Sequence, residues 1–308
     1  MRILLVGLLL VTGLREDEKL AKALAEFRVE SVIDETVAGL GKPVWYPEIV
    51  SWRPVVSTSS DEAQKHVHQG MALVHAGWDF EAYRHFVEAV KLDGDCLMAY
   101  WGMSLALAEA NQEWVEERMA ALDRMFDLSE AGMGTELERK QVEALAYLFS
   151  DERALAPPKF KEVVEAFPND LQSGLMAAYL GKDGYDPLMG AGPGQKEAVA
   201  DVEDLLRRNA ESQMALLFWV LLQAEHPDGT GHMREVVLPR VRSLAGMAPD
   251  FPPYRHLLGH YEWRGGNLGL ARREFEAAVR GYEEYMGREG LEFYDCPNWV
   301  RAKLYLAA

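Results

Sequence analysis

Residues 66–89 read HVHQGMALVHAGWDFEAYRHFVEA, and residues 255–278 read RHLLGHYEWRGGNLGLARREFEAA. Gly70, Gly77, Ala82, Phe86 and Ala89 of the first stretch recur as Gly259, Gly266, Ala271, Phe275 and Ala278 of the second, each 189 residues further on. The spacing fits two helices joined by a short turn. A small residue on the first helix lets the second approach, an alanine fills the close contact, and a phenylalanine plugs the groove between pairs.

The same plan extends outward. Helical segments are expected in pairs: 63–76 with 80–91, 97–110 with 114–126, 136–150 with 159–166, and 196–208 with 212–225. Further helices are expected at 19–37, 170–180, 234–248, 254–264 and 269–287. No run alternates with β-branched enrichment, so no strand is expected. Residues 39–54 hold Gly39, Gly41, Pro43, Pro47 and Pro54 and read as an extended connector, strapped to the first helix pair by Trp45 and Tyr46. Ser59, three residues before Glu62, reads as a helix start. Residues 181–194 form a glycine-rich surface excursion. The fold class is all-α, and no composition break separates two domains.

The small–Ala–Phe–Ala pattern resembles the tetratricopeptide repeat, a helix pair of about 34 residues. Shifting by that length takes Gly70 to Ser104 and Leu73 to Leu107. Ser57 to Gln64, Gln69-Gly70, Phe80-Glu81-Ala82 and Cys96 to Gly102 resemble a group of mostly uncharacterised bacterial tetratricopeptide-repeat proteins, often carrying export signals. The resemblance covers roughly residues 50 to 290. It implies an α-solenoid of antiparallel helix pairs with a degenerate middle, a binding role, and no established reaction. The group carries a His-x-x-x-His stretch, matched here by His256 and His260. It also carries histidines where this chain has Ser212 to Trp219. In such repeats the positions three before and one after the small residue face the concave groove. The resemblance thus places Val67, Met71, Val74, Trp101, Leu105, His256, His260 and Trp263 on a partner-binding groove.

The chain has 308 residues, 49% of them hydrophobic, which suffices for one large or two small cores. Its 32 Lys and Arg against 49 Asp and Glu give a net charge of −17, ill suited to nucleic acid. Two cysteines, Cys96 and Cys296, make neither a disulfide framework nor a four-cysteine zinc site. Arg2 followed by the apolar residues 3–11 is the plan of a bacterial export signal, too short to span a bilayer. The expected organisation is an export signal over 1–13, an N-terminal helix and connector over 14–56, and a helical-repeat domain over 57–308. The expected location is the bacterial envelope or periplasm. The alternative is a buried apolar element opening a cytosolic protein.

Histidines four apart share one helix face, so His256 and His260 together could hold copper or zinc. Glu225, His226 and His232 could add ligands if the fold brings them near. Leu257 stands where a zinc protease carries glutamate. His66, His68, His75 and His85 read as capped or exposed. Cys96 and Met98 suit soft copper but point to different faces, and so read as core. Residues 190–196 resemble a phosphate loop only superficially, because Pro193 removes a backbone donor and no strand precedes them. No nucleophile or acid–base motif appears, and no enzyme is expected. The expected function is a scaffold that binds a peptide, a protein or a second copy of itself, with metal binding at His256 and His260 as the alternative.

Overall fold

A computed structural model describes residues 16–108, 114–227 and 229–307. The described chain is mostly helical. First come α1 (Glu16–Glu26), α2 (Glu35–Ala38), α3 (Asp61–His75), α4 (Asp79–Leu92), α5 (Leu97–Ala106), α6 (Val115–Glu130), α7 (Glu136–Leu148), α8 (Ala156–Ala166) and α9 (Leu171–Gly181). A short hairpin follows, β1 (Tyr185–Asp186) with β2 (Gly190–Ala191). Then come α10 (Pro193–Arg208), α11 (Gln213–Leu222), α12 (Gly229–His232), α13 (Leu238–Met247), α14 (Pro252–Arg264), α15 (Leu268–Glu289) and α16 (Pro297–Ala307). A π-helical stretch, Met233–Val237, joins α12 to α13. Among the described residues no helix is long and apolar enough to cross a membrane.

The chain divides into two units. Unit 1 takes residues up to 38, 54–67 and 85–180, and unit 2 takes 39–53, 68–84 and 181 onward. Helices α3 and α4 contribute to both, as do residues 57–308 as a whole. In unit 1, α5 packs on α6, α6 on α7 and α7 on α8, and α1 lies against α6. In unit 2, α10 packs on α11, α11 on α13, α13 on α14, α14 on α15 and α15 on α16. The fold is all-α, with neighbouring helices packed in succession.

The repeated residues perform the roles that their spacing implies. Ala82, Phe86 and Ala89 are buried, and so are Ala271, Phe275 and Ala278. Gly77 and Gly266 sit at φ +74° and +77°, backbone that favours glycine. Beyond each glycine, Trp78 N–H donates to the Leu73 carbonyl at 3.0 Å and Asn267 N–H to the Glu262 carbonyl at 2.8 Å. That six-to-one bond closes both helices in the same way. A Cβ on Gly259 would lie 2.8 Å from the Phe275 ring, so the small residue admits the second helix. In the first copy a Cβ on Gly102 would lie 2.2 Å from Phe86, so there the phenylalanine plugs against the following helix.

Several expectations need correction. Residues 19–37 do not form one helix: α1 stops at Glu26, and Arg28 is extended at φ −126°, ψ 128°. Phe27 there meets Tyr100 edge-on at 5.7 Å, with the Arg124 guanidinium 4.5 Å from its ring. One short 3₁₀ turn, Val29–Val32, follows before Ile33 is extended again at φ −118°, ψ 111°, and the Asp34 carboxylate accepts the Thr36 N–H to open α2 afresh. The cap of α3 is Ser60, whose Oγ accepts from Ala63 N–H at 3.1 Å, while the Ser59 hydroxyl donates to Asp93. The excursion at 181–194 contains the β1–β2 hairpin, turned by the Asp186 carboxylate accepting the N–H groups of Leu188 and Met189. Helix α16 stands where no helix was expected. The connector is strapped by Tyr46, 5.4 Å from Trp78 and 5.2 Å from Phe251, whereas Trp45 is exposed.

Candidate functional site

Three of the expected groove side chains lie in the interior. Val67, Met71 and Trp101 are 1%, 2% and 0% exposed. The Trp101 indole N–H donates to the Gln141 carbonyl at 3.1 Å. Gln141 in turn donates to Asp170 at 2.8 Å, and Asp170 accepts the Ser173 N–H at 2.8 Å. This is a satisfied polar chain inside unit 1, and it holds α5, α7 and α9 together. Val74 and Leu105 are half-buried. Val67, Trp101 and Leu105 belong to unit 1, and Met71, Val74, His256, His260 and Trp263 to unit 2.

On α14 the structure brings His256, His260 and Trp263 to one side, where Tyr305 of α16 lies among them. The Tyr305 ring is 5.4 Å from each imidazole and 6.4 Å from Trp263, and it stacks on Phe275 at 5.3 Å. Trp263 is 47% exposed. Burial pushes the His256 imidazole down to about 4, helped by His260 and Arg301. Burial also lowers His260, with Arg264 adding to it and Glu225 opposing. His256 Nδ1 is buried without a hydrogen-bond partner.

His226 and His232 stack on each other at 3.6 Å, and His232 bonds the Gln223 side chain at 3.0 Å. Among the described residues no group of three or more His, Cys, Asp or Glu side chains converges as a metal site.

The other histidines correct the exposed reading. His66, His68 and His85 are buried, and His66 Nδ1 lies 2.9 Å from His85 Nδ1. At that distance one ring donates a proton and the other must be neutral to accept it. His75 meets Phe218 edge-on at 5.1 Å. Cys96 and Met98 are core residues, as their spacing indicates. Burial pushes the Cys96 thiol up to about 12 and Cys296 up to about 11, so neither is a ready nucleophile.

At the start of α10 the Asp183 carboxylate accepts the N–H groups of Gly194 and Gln195, at 3.1 and 2.7 Å. An acid therefore occupies the place that a phosphate would take. Buried Arg84 pairs with Glu81 and Glu289, both at 2.8 Å, and Tyr285 donates to Glu81. This cluster ties α4 to α15 within unit 2 and is satisfied internally.

One feature escaped sequence reasoning. A cleft of about 550 Å³ opens in unit 1 beside α6 and α7. Its walls are Met119, Leu122, Phe126, Val142, Ala146 and Tyr147. Asp123, Glu130, Glu143 and Glu152 stand at the same cleft against a single cation, Arg118. The signal was in the sequence as a second apolar row on α6: Met119 and Phe126 flank the Ala121, Leu122, Met125, Leu128 row that the core consumes.

The fold defines the class: an all-α protein of helices packed in succession. No family model matches the chain, and no curated protein matches it significantly.

Proposed function

We propose that the protein is a tetratricopeptide-like interaction module without chemistry of its own, and that its unit 1 cleft receives a basic amphipathic segment of a partner protein. The cleft carries this reading. Apolar walls of this volume suit the apolar face of a helix, and four carboxylates against one arginine complement lysines and arginines on the flanking face. The repeated helix-pair residues support the solenoid part of the reading. Location in the bacterial envelope belongs to the same proposal and rests on the apolar residues 3–11 behind Arg2.

The test is a fluorescence titration of the full chain with a labelled lysine- and leucine-patterned helical peptide. Saturable, salt-sensitive binding is expected, lost on Phe126→Asp and absent for the glutamate version of the peptide. Equal binding of both peptides, or none, would overturn it.

A second reading, copper or zinc at His256 and His260, is favoured by the unpartnered His256 Nδ1. Elemental analysis of protein purified without affinity metals, beside the His256→Ala, His260→Ala variant, separates the two readings.

A further inference from the structure

A second cavity, of about 240 Å³, lies wholly within unit 2. It is bounded by the end of α3 and by residues of α11, α14, α15 and α16. Leu217, Tyr254 and Tyr282 give it apolar surface, and His75, His256, Asn298 and Arg301 supply its polar groups.

Two properties of this lining stand out. The first is its charge. The chain carries 49 acids against 32 bases, yet none of the lining residues is acidic, and one is a guanidinium. A pocket with low-dielectric walls and one sign of charge focuses its field on an oppositely charged ligand. The second is its unspent hydrogen-bonding capacity. Asn298 Nδ2 is committed, donating to the Gly77 carbonyl at 2.7 Å. Arg301 is exposed and makes no ion pair or hydrogen bond among the described residues, so its guanidinium is open to a ligand. The Tyr254 hydroxyl likewise makes no hydrogen bond among the described residues. His256 Nδ1 is buried and unpartnered. A buried ring nitrogen without a partner, as at His256, is costly and rare unless something else supplies one.

We propose that this cavity binds a small organic carboxylate with an apolar or aromatic body. The guanidinium of Arg301 would hold the carboxylate, with the Tyr254 hydroxyl and His256 as further donors. The ring would rest against Leu217 and Tyr282. The volume equals the liquid share of about eight waters at ~30 Å³ each, which sets the size at a single ring and a short acid arm. This site is independent of the unit 1 cleft and of any partner protein.

The probe is phenylacetate, titrated calorimetrically into the full chain, with phenylacetamide and inorganic phosphate as controls. Phenylacetate is expected to saturate. The amide, which keeps shape and loses charge, is expected to bind roughly tenfold more weakly, as is phosphate, which keeps charge and loses the ring. Arg301→Gln, an exposed position whose change spares the core, is expected to bring phenylacetate down to the level of the amide and leave the amide unchanged. Phenylacetate should also move the His256 ring signals in the proton–carbon spectrum. No saturable phenylacetate binding, equal binding of the amide, or equal binding of phosphate would each overturn the proposal.

Discussion

The two copies of the helix-pair motif differ most where they are expected to be alike. Val67, Met71 and Val74 correspond, 189 residues on, to His256, His260 and Trp263. In the first copy the side chains are aliphatic or thioether, and two of the three are buried. In the second they are two imidazoles and an indole, the imidazoles partly covered by Tyr305 and the indole half-exposed. The framework residues show no such divergence, since both phenylalanines and all four alanines are buried and both turn glycines are left-handed. The motif thus fixes how two helices meet, while the next helix decides whether the outer face becomes core or surface. After the first copy comes α5, whose Gly102 admits Phe86. After the second comes α16, which lays a single tyrosine over Phe275.

Substitutions in the two copies should differ in cost according to what each side chain meets. The largest effect is expected at Trp101, which the resemblance places on the groove and the structure places in the core. Trp101→Ala should cost about 3–5 kcal/mol in urea unfolding, because it opens a large cavity in the core and removes the indole bond to the Gln141 carbonyl. Next come the two glycines. Gly102→Ala should cost about 1–3 kcal/mol, since its new Cβ would meet a ring with no room to retreat. Gly259→Ala should cost less in the same assay, its nearest ring atom lying 2.8 Å away rather than 2.2 Å.

A smaller, pH-dependent difference concerns the entry to the first copy. Asp93 accepts from the Thr58 and Ser59 hydroxyls and the Ser59 N–H. Burial opposes its ionisation, but these bonds prevail and hold the carboxyl below its ordinary range. A depressed folded value means stability that is present above the unfolded value and lost as pH falls through the folded one. Asp93→Asn should therefore cost about 1 kcal/mol at neutral pH. That cost should begin to fade as pH falls below the ordinary aspartate value and vanish only below the lower folded value, when thermal unfolding is followed against pH. The smallest effect is expected at Trp263→Ala, under about 1 kcal/mol, because its ring is half in water already.

Much of the fold was legible because the decisive residues act locally. A left-handed glycine ends a helix wherever it stands, so Gly77 and Gly266 announced the turns. Helix α16 was not legible, since Ala302 is its one buried residue and little apolar periodicity marks it. The His66–His85 pair needs α3 and α4 face to face, which a one-helix wheel cannot supply. The cleft was hidden for a related reason. Met119, Phe126, Ala146 and Tyr147 read as ordinary core positions, and only the packing of α6 and α7 leaves them uncovered. His256 and His260 lie on one side of α14, each 5.4 Å from Tyr305, a residue from a segment whose sequence marks no helix.

Under the proposed function the unit 1 cleft, not the α14 face, receives the partner. The most direct measurement is the methionine-methyl spectrum of the full chain during titration with the lysine- and leucine-patterned peptide, with the His256 and His260 ring signals followed in the same sample. The expected result is a saturable shift of the Met119 methyl, which lines the cleft, with the imidazole signals still. A still Met119 beside moving His256 and His260 signals would contradict the claim and return the binding surface to α14.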